Sequence, residues 1–276
     1  MKHTTFSLST HDNLKLFGQT WLTDAPAQAV LCLVHGMGEH STRYTHVAEY
    51  LAKNGIAVVA FDHRGHGKSE GKRGHSPEYE ALMKDIDLLL KQATVLVPNV
   101  PVFLFGHSMG GNVVLNYSLR RTPALKGVIV SSPWLRLAFE PSKVDLFLAN
   151  MMIKIYPAFT QSTKLDATSI SRDANEVRKY KEDPLVHDFI SPAMFIGTKN
   201  AGEWALANAD KWKLPLLIYH GTADRLISYD GSKEFAQKVK GDITWKSLQG
   251  FFHEPHNEPE KEVILEMLLG WIKERL

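Results

Sequence analysis

The hexapeptide Gly106-His107-Ser108-Met109-Gly110-Gly111 constrains this chain more than any other stretch. It follows the apolar run Val102-Phe103-Leu104-Phe105 and precedes a helix-forming segment from Asn112 to Arg121. A G-x-S-x-G pattern between strand and helix is a sharp, strained turn, and glycines two before and two after the serine leave room for the crossing backbone. The serine oxygen then stands exposed above the sheet. A helix that starts just after the serine aims unpaired N–H groups and a positive dipole end at any oxyanion formed beside it. Six residues thus supply a candidate nucleophile, Ser108, and one oxyanion donor, the Met109 N–H.

Short apolar runs bounded by Gly, Asn, Asp and Pro recur on both sides of this turn, with helical stretches between them: Val30 to Val34, Ile56 to Phe61, Val102 to Phe105, Val128 to Val130, Leu216 to Tyr219 and Ile243 to Leu248. Such alternation is the sequence form of a mostly parallel sheet, and continuous rather than alternating hydrophobicity predicts strands covered on both faces. Thr5 to Ser9 and Leu14 to Trp21 flank His11-Asp12-Asn13, which predicts an antiparallel hairpin at the sheet edge. Helices are expected over Tyr44–Asn54, Pro77–Leu96, Gly110–Arg121, Ser232–Val239 and Pro259–Leu276.

The regularity fails between Pro133 and about Leu214. The reading is a doubly wound core of residues 1–132 and 215–276 carrying a helical cap at 133–214. Within the cap, Val144 to Tyr156 is more apolar than one buried helix face requires. Either the cap packs on itself there, or its apolar side lines a channel or touches lipid.

A serine hydroxyl needs a base within hydrogen-bond reach, itself oriented by a carboxylate, and on such sheets these follow in the order serine, acid, histidine. After Leu216 to Tyr219 comes His220-Gly221-Thr222-Ala223-Asp224, and after Ile243 to Leu248 comes Gln249-Gly250-Phe251-Phe252-His253-Glu254-Pro255-His256. Asp224 is the candidate acid. His253 and His256 both qualify as base; His253 lies nearer the strand end and is preferred, with His256 read as a surface or loop residue. The second oxyanion donor belongs in the loop after an earlier strand, and in Val34-His35-Gly36-Met37-Gly38-Glu39 flanking glycines let the Met37 N–H approach the reacting centre.

Composition narrows the class further. The chain has 276 residues, 44% hydrophobic and 22% charged, enough to bury a large core. With 32 basic against 30 acidic residues its formal net charge is +2, so no global field points to nucleic acid. Lys68, Lys72 and Arg73 read as a solvated cluster. Gly67-Lys68-Ser69 lacks the upstream glycine of a phosphate-binding loop, since Asp62 stands there, and the 13 histidines show no H-E-x-x-H spacing. No metal or cofactor is implied. The one cysteine, Cys32, lies in an apolar run and reads as a buried hydrophobe. Met1-Lys2-His3-Thr4-Thr5 has no apolar signal core, so a cytoplasmic location is expected, with transient membrane-surface contact through the cap.

The chain resembles the α/β-hydrolases and, within them, the monoacylglycerol lipase and lysophospholipase group of serine aminopeptidase S33-like hydrolases. The resemblance rests on His35-Gly36-Met37-Gly38-Glu39-His40-Ser41 with Arg43-Tyr44, on Asp62-His63-Arg64-Gly65-His66-Gly67-Lys68-Ser69, on the elbow and on Gly221-Thr222-Ala223-Asp224. It continues through Tyr180-Lys181-Glu182-Asp183-Pro184-Leu185 to Gly250-Phe251-Phe252-His253. It implies an α/β-hydrolase fold with a mobile helical cap, a Ser108–Asp224–His253 triad and an oxyanion hole at Met37 and Met109. Glu39, Arg43, His107 and Tyr180 match positions that surround the glycerol moiety in this family; the alternative for Glu39 and Arg43 is a structural ion pair. The implied activity is carboxylic ester hydrolysis through an acyl-enzyme, with a small lipid ester such as a monoacylglycerol as substrate. A lysophospholipase and a general short-chain carboxylesterase are the alternatives; a silent ligand-binding hydrolase fold has no need of three such groups.

Overall fold

The computed structural model describes residues 1–276. In chain order, β1 (Lys2–Ser9) and β2 (Lys15–Leu22) form an antiparallel hairpin, β3 spans Ala29–Val34, and α1 (Thr45–Lys53) leads to β4 (Ile56–Phe61). Helix α2 (Tyr79–Leu96) precedes β5 (Val102–His107), which runs through the elbow into α3 (Met109–Arg121) and on to β6 (Gly127–Ser131). The next stretch carries α4 (Lys143–Ile155), the two-residue strand β7 (Gln161–Ser162), α5 (Ala174–Glu182), its partner β8 (Phe189–Ile190) and α6 (Pro192–Asn208). The alternation then resumes with β9 (Leu216–Gly221), α7 (Tyr229–Lys238), β10 (Ile243–Leu248) and α8 (Lys261–Lys273).

The main sheet has eight strands in the order β1-β2-β4-β3-β5-β6-β9-β10. The hairpin joins antiparallel through β2 and β4, and all other pairs are parallel. Every residue of β3, β4, β6 and β9 is buried, as continuous apolar runs require when helices cover both faces. Side chains alternate across the sheet and divide the core into two clusters. Val30, Cys32 and Val34 point to one face with α2 and α3, while Leu31 and Leu33 point to the other with α1 and α8.

Two local expectations needed correction. Strand β10, read as covered on both faces, is only partly buried, with Lys246 and Ser247 exposed, because nothing pairs beyond it at the sheet edge. Strands β5 and β9 run past the apolar runs through Gly106-His107 and His220-Gly221, since the parallel ladder continues to those residues. The extension carries His107 and His220 to the carboxyl edge of the sheet, where ligands of open α/β sheets bind.

Candidate active site

Ser108 caps α3 with φ 53° and ψ −117°, a backbone conformation that L-residues rarely adopt and that costs about 1–3 kcal/mol. Its peptide is pinned on three sides. Its N–H donates to Ser131 O at 3.0 Å, and its carbonyl accepts from Asn112 N at 3.0 Å and Trp134 N at 2.9 Å. A Cβ on Gly106 would lie 2.5 Å from Gly110 O, and one on Gly110 would collide with the carbonyls of Val34 and His35. Both elbow glycines are therefore required by close backbone approach.

The loop after β10 brings His253 to the serine: Ser108 Oγ lies 3.0 Å from His253 Nε2. His253 Nδ1 lies 2.7 Å from Asp224 Oδ2 on the loop after β9. With the carboxylate accepting at Nδ1–H, the Nε2 lone pair faces the serine hydroxyl. Asp224 Oδ1 accepts from the backbone N–H of Leu226 at 2.8 Å and Ile227 at 3.0 Å, so its carboxylate plane is held independently of the histidine. Burial alone raises the Asp224 carboxyl, but the charge of His253 and hydrogen bonds from His220 and His253 outweigh it and hold it well below the usual range. For His253, burial works against the imidazolium; the Asp224 charge and hydrogen bond win, and the ring titrates above its ordinary 6.5.

The structure brings the other expected residues to the same place, with one exception. Met109 follows Ser108 and opens α3, where helices leave N–H groups unpaired; Met37 lines the same cavity as Ser108, and its N–H has no acceptor within the protein. Glu39, His107 and Tyr180 line the cavity above Ser108, whereas Arg43 stands one layer back. Its guanidinium lies between Glu39 Oε2 at 2.7 Å and Glu254, whose oxygens it meets at 2.7 and 2.6 Å, and stacks 4.8 Å from the Tyr180 ring. Glu39 Oε1 accepts from Gly36 N and Tyr44 Oη, both at 2.7 Å, tying the carboxylate to the Met37 loop. Burial raises the Glu254 carboxyl, but Arg43 outweighs it and holds the group down to about 2. Burial, then the neighbouring His253, keep His107 neutral, and burial keeps Tyr180 a phenol.

His256 departs from its reading as a surface or loop residue. Pro255 starts a short turn that folds the chain inward, and the His256 ring is fully buried, stacked 4.6 Å from Tyr44. Burial holds it neutral, down to about 3. Sequence reasoning also missed Glu254 and His220. Glu254 adjoins His253, but its partner Arg43 lies 211 residues away, and His220 stood in plain view beside Asp224 with no signal that its ring turns toward the carboxylate.

The cavity measures about 720 Å³, within the range of small-ligand sites. Besides the polar groups near Ser108 it is lined by apolar side chains that include Leu137, Leu148, Met152, Phe159, Ile170 and Phe195. No helix of the chain is long and apolar enough to cross a membrane.

Sheet order, serine elbow, an acid after β9 and a histidine after β10 together define an α/β-hydrolase. More narrowly, the chain belongs to the family described as serine aminopeptidase, S33, whose model matches residues 25–260. The monoacylglycerol lipase of Mycolicibacterium smegmatis is 34% identical over 268 residues, 95% of this chain and 94% of that protein. An uncharacterized abhydrolase domain-containing protein of Dictyostelium discoideum is 39% identical over 98% of this chain, which spans 29% of that longer protein. Among solved structures, Paleococcus ferrophilus monoacylglycerol lipase superposes with a TM-score of 0.87 at 36% identity, covering 95% of this chain and 99% of that one.

Proposed function

We propose that the protein is a serine hydrolase that cleaves monoacylglycerols to fatty acid and glycerol. The observation that carries the reading is the continuous hydrogen-bonded series from Ser108 Oγ through His253 to Asp224 at the base of a largely apolar cavity. Ser108 attacks the ester carbonyl while its proton passes to His253 Nε2, and the Met37 and Met109 N–H groups receive the oxyanion. Collapse of the tetrahedral intermediate breaks the ester C–O bond, and His253 returns the proton to the departing glycerol oxygen. Water, deprotonated by the same imidazole, then attacks the acyl-serine and frees the fatty acid.

The two glutamates of the cavity wall, Glu39 and Glu254, are both engaged by Arg43, so neither is free to take the α-ammonium group of a peptide substrate. The apolar lining suits an acyl chain, and the neutral Tyr180 and His107 offer hydrogen bonds to an alcohol. We read residues 133–214 as a cap over this site, with the exposed side of α4 meeting the lipid surface from which substrate is drawn.

A fluorophosphonate probe is expected to label Ser108 in the folded protein, with labelling lost in Ser108→Ala. Hydrolysis of monoacylglycerols of graded chain length should fall by 10³-fold or more in that variant. Absence of labelling overturns the enzyme reading. Turnover of short water-soluble esters far above every monoacylglycerol would make the protein a general esterase, and release from amino-acid amides would make it a peptidase.

A further inference from the structure

Asp224 Oδ2 is shared. Besides His253 Nδ1 at 2.7 Å it meets His220 Nε2 at 2.9 Å, and His220 Nδ1 in turn lies 2.7 Å from Ser232 Oγ on α7. All of these side chains are buried: His220 and Asp224 are 0% exposed and Ser232 likewise. The proton on His220 follows from its partners. An ionised carboxylate only accepts, so Nε2 carries the hydrogen; the neutral ring then presents a lone pair at Nδ1, and the Ser232 hydroxyl must donate to it. Burial outweighs the pull of Asp224 and makes His220 harder to protonate than an ordinary histidine.

Resting on the reading of Ser108, His253 and Asp224 as a triad, we propose that His220, set as its Nε2–H tautomer by the Asp224 carboxylate and braced at Nδ1 by Ser232, is a positioning residue that shares Asp224 Oδ2 with His253 and limits how tightly the carboxylate holds the imidazolium. Two donors on one oxygen weaken each other, because each withdraws the charge the other uses. The remaining oxygen, Oδ1, is held by two backbone N–H groups, so the carboxylate keeps its place without His220. Deleting the His220 donor therefore makes Asp224 a stronger partner for His253 and raises the basicity of that ring. The other ionisable groups around the pair point the same way in parent and variant: Glu254 and Glu39 favour the imidazolium, His107 stands 4.8 Å from His253, and Tyr229 packs 5.9 Å from His220.

The test is the pH dependence of kcat/KM on a soluble short-chain p-nitrophenyl ester, measured with the full chain. In His220→Leu the acid limb is expected to move to higher pH by about half a unit, a roughly threefold loss on the acid side, with KM unchanged. Ser232→Ala, which removes the hydrogen bond that holds the His220 ring against Asp224, should shift the limb the same way by less. His220→Gln, whose amide can donate from the Nε2 position, should return the profile to that of the parent. Long-range ¹H–¹⁵N spectra of the parent should report the Nε2–H tautomer for His220. Superimposable profiles in the Leu and Ala variants, a shift to lower pH, a Gln variant displaced as far as Leu, or an Nδ1–H tautomer each overturns the proposal. If His220→Leu does not fold, Ser232→Ala and His220→Gln decide by the same criteria. Fluorophosphonate labelling of Ser108 tests the triad separately, so loss of labelling indicts that reading and an unmoved pH profile indicts only the role of His220.

Discussion

At the residue scale, the proposed mechanism makes the pair Asp224–His253 set the pH range in which Ser108 reacts. Only neutral imidazole accepts the serine proton, so activity is present above the His253 pKa and is lost as pH falls through it. Because Asp224 raises that value above 6.5, the loss is expected on the near-neutral side of an ordinary histidine. Asp224→Asn removes the charge that favours the imidazolium and lets the amide donate to Nδ1, which turns Nε2–H toward the serine. The acid limb should move to lower pH and kcat should fall by about 10⁴, as a kcat–pH series would show. Ser108, Asp224 and His253 were legible because each follows a recognisable apolar run, and strand ends are where such groups converge. Arg43 was legible as far as Glu39, four residues before it, and His256 only as a residue type. What else Arg43 touches depends on Glu254, and what covers His256 depends on Tyr44, both supplied by distant chain.

At the element scale, α4 carries apolar side chains on two faces, one of them headed by Asp145. Asp145, Leu148, Ala149 and Met152, spaced as one helix face, line the cavity, while Val144, Phe147, Met151 and Ile155 face outward. Phe147 is 68% and Ile155 69% exposed, with no protein covering them. If this side meets lipid, Phe147→Glu should weaken binding to phospholipid vesicles by about tenfold or more, since full burial of such a side chain contributes about 1.5–3 kcal/mol. Hydrolysis of a soluble p-nitrophenyl ester should change by less than about twofold. Vesicle sedimentation and the soluble assay together separate the two effects. Unchanged vesicle binding would leave the face without a lipid role. The excess of apolar residues in Val144 to Tyr156 was plain in the sequence. Their division between cavity and solvent was not, because hydrophobicity marks which residues avoid water and leaves open what replaces it. Strand β10 teaches the same lesson, since its composition reads as buried and its edge position leaves it half covered.

Across the whole molecule, long-range polar contacts tie residues 133–214 to the loops of the sheet, and the hairpin turn to α2. His40 meets Asp183 at 3.0 Å, His187 N–H donates to Gly38 O at 2.9 Å, and Glu254 N–H donates to Ile170 O at 2.8 Å, so the loops bearing Met37 and His253 are tied to residues 133–214. Farther from the site, Arg64 is buried between Asp85 on α2, at 2.7 and 2.8 Å, and Asp12 of the hairpin turn, at 2.8 Å. Arg64→Met would leave Asp85, 0% exposed, as an unpaired buried carboxylate. The expected cost is about 3–5 kcal/mol, read as a fall in thermal midpoint, while kcat of the folded fraction stays near that of the parent. The sequence by itself determined the kind and order of the elements, the elbow and the run of candidate nucleophile, acid and base. Those depend on local steric rules and on hydrophobic periodicity, which act over a few residues. Only the tertiary structure decided which charges neutralise one another, which histidines lie dry and which side of α4 faces the cavity. Such facts depend on groups far apart in the chain, and burial, which sets the strength of every one of those interactions, exists only once the chain has closed around them.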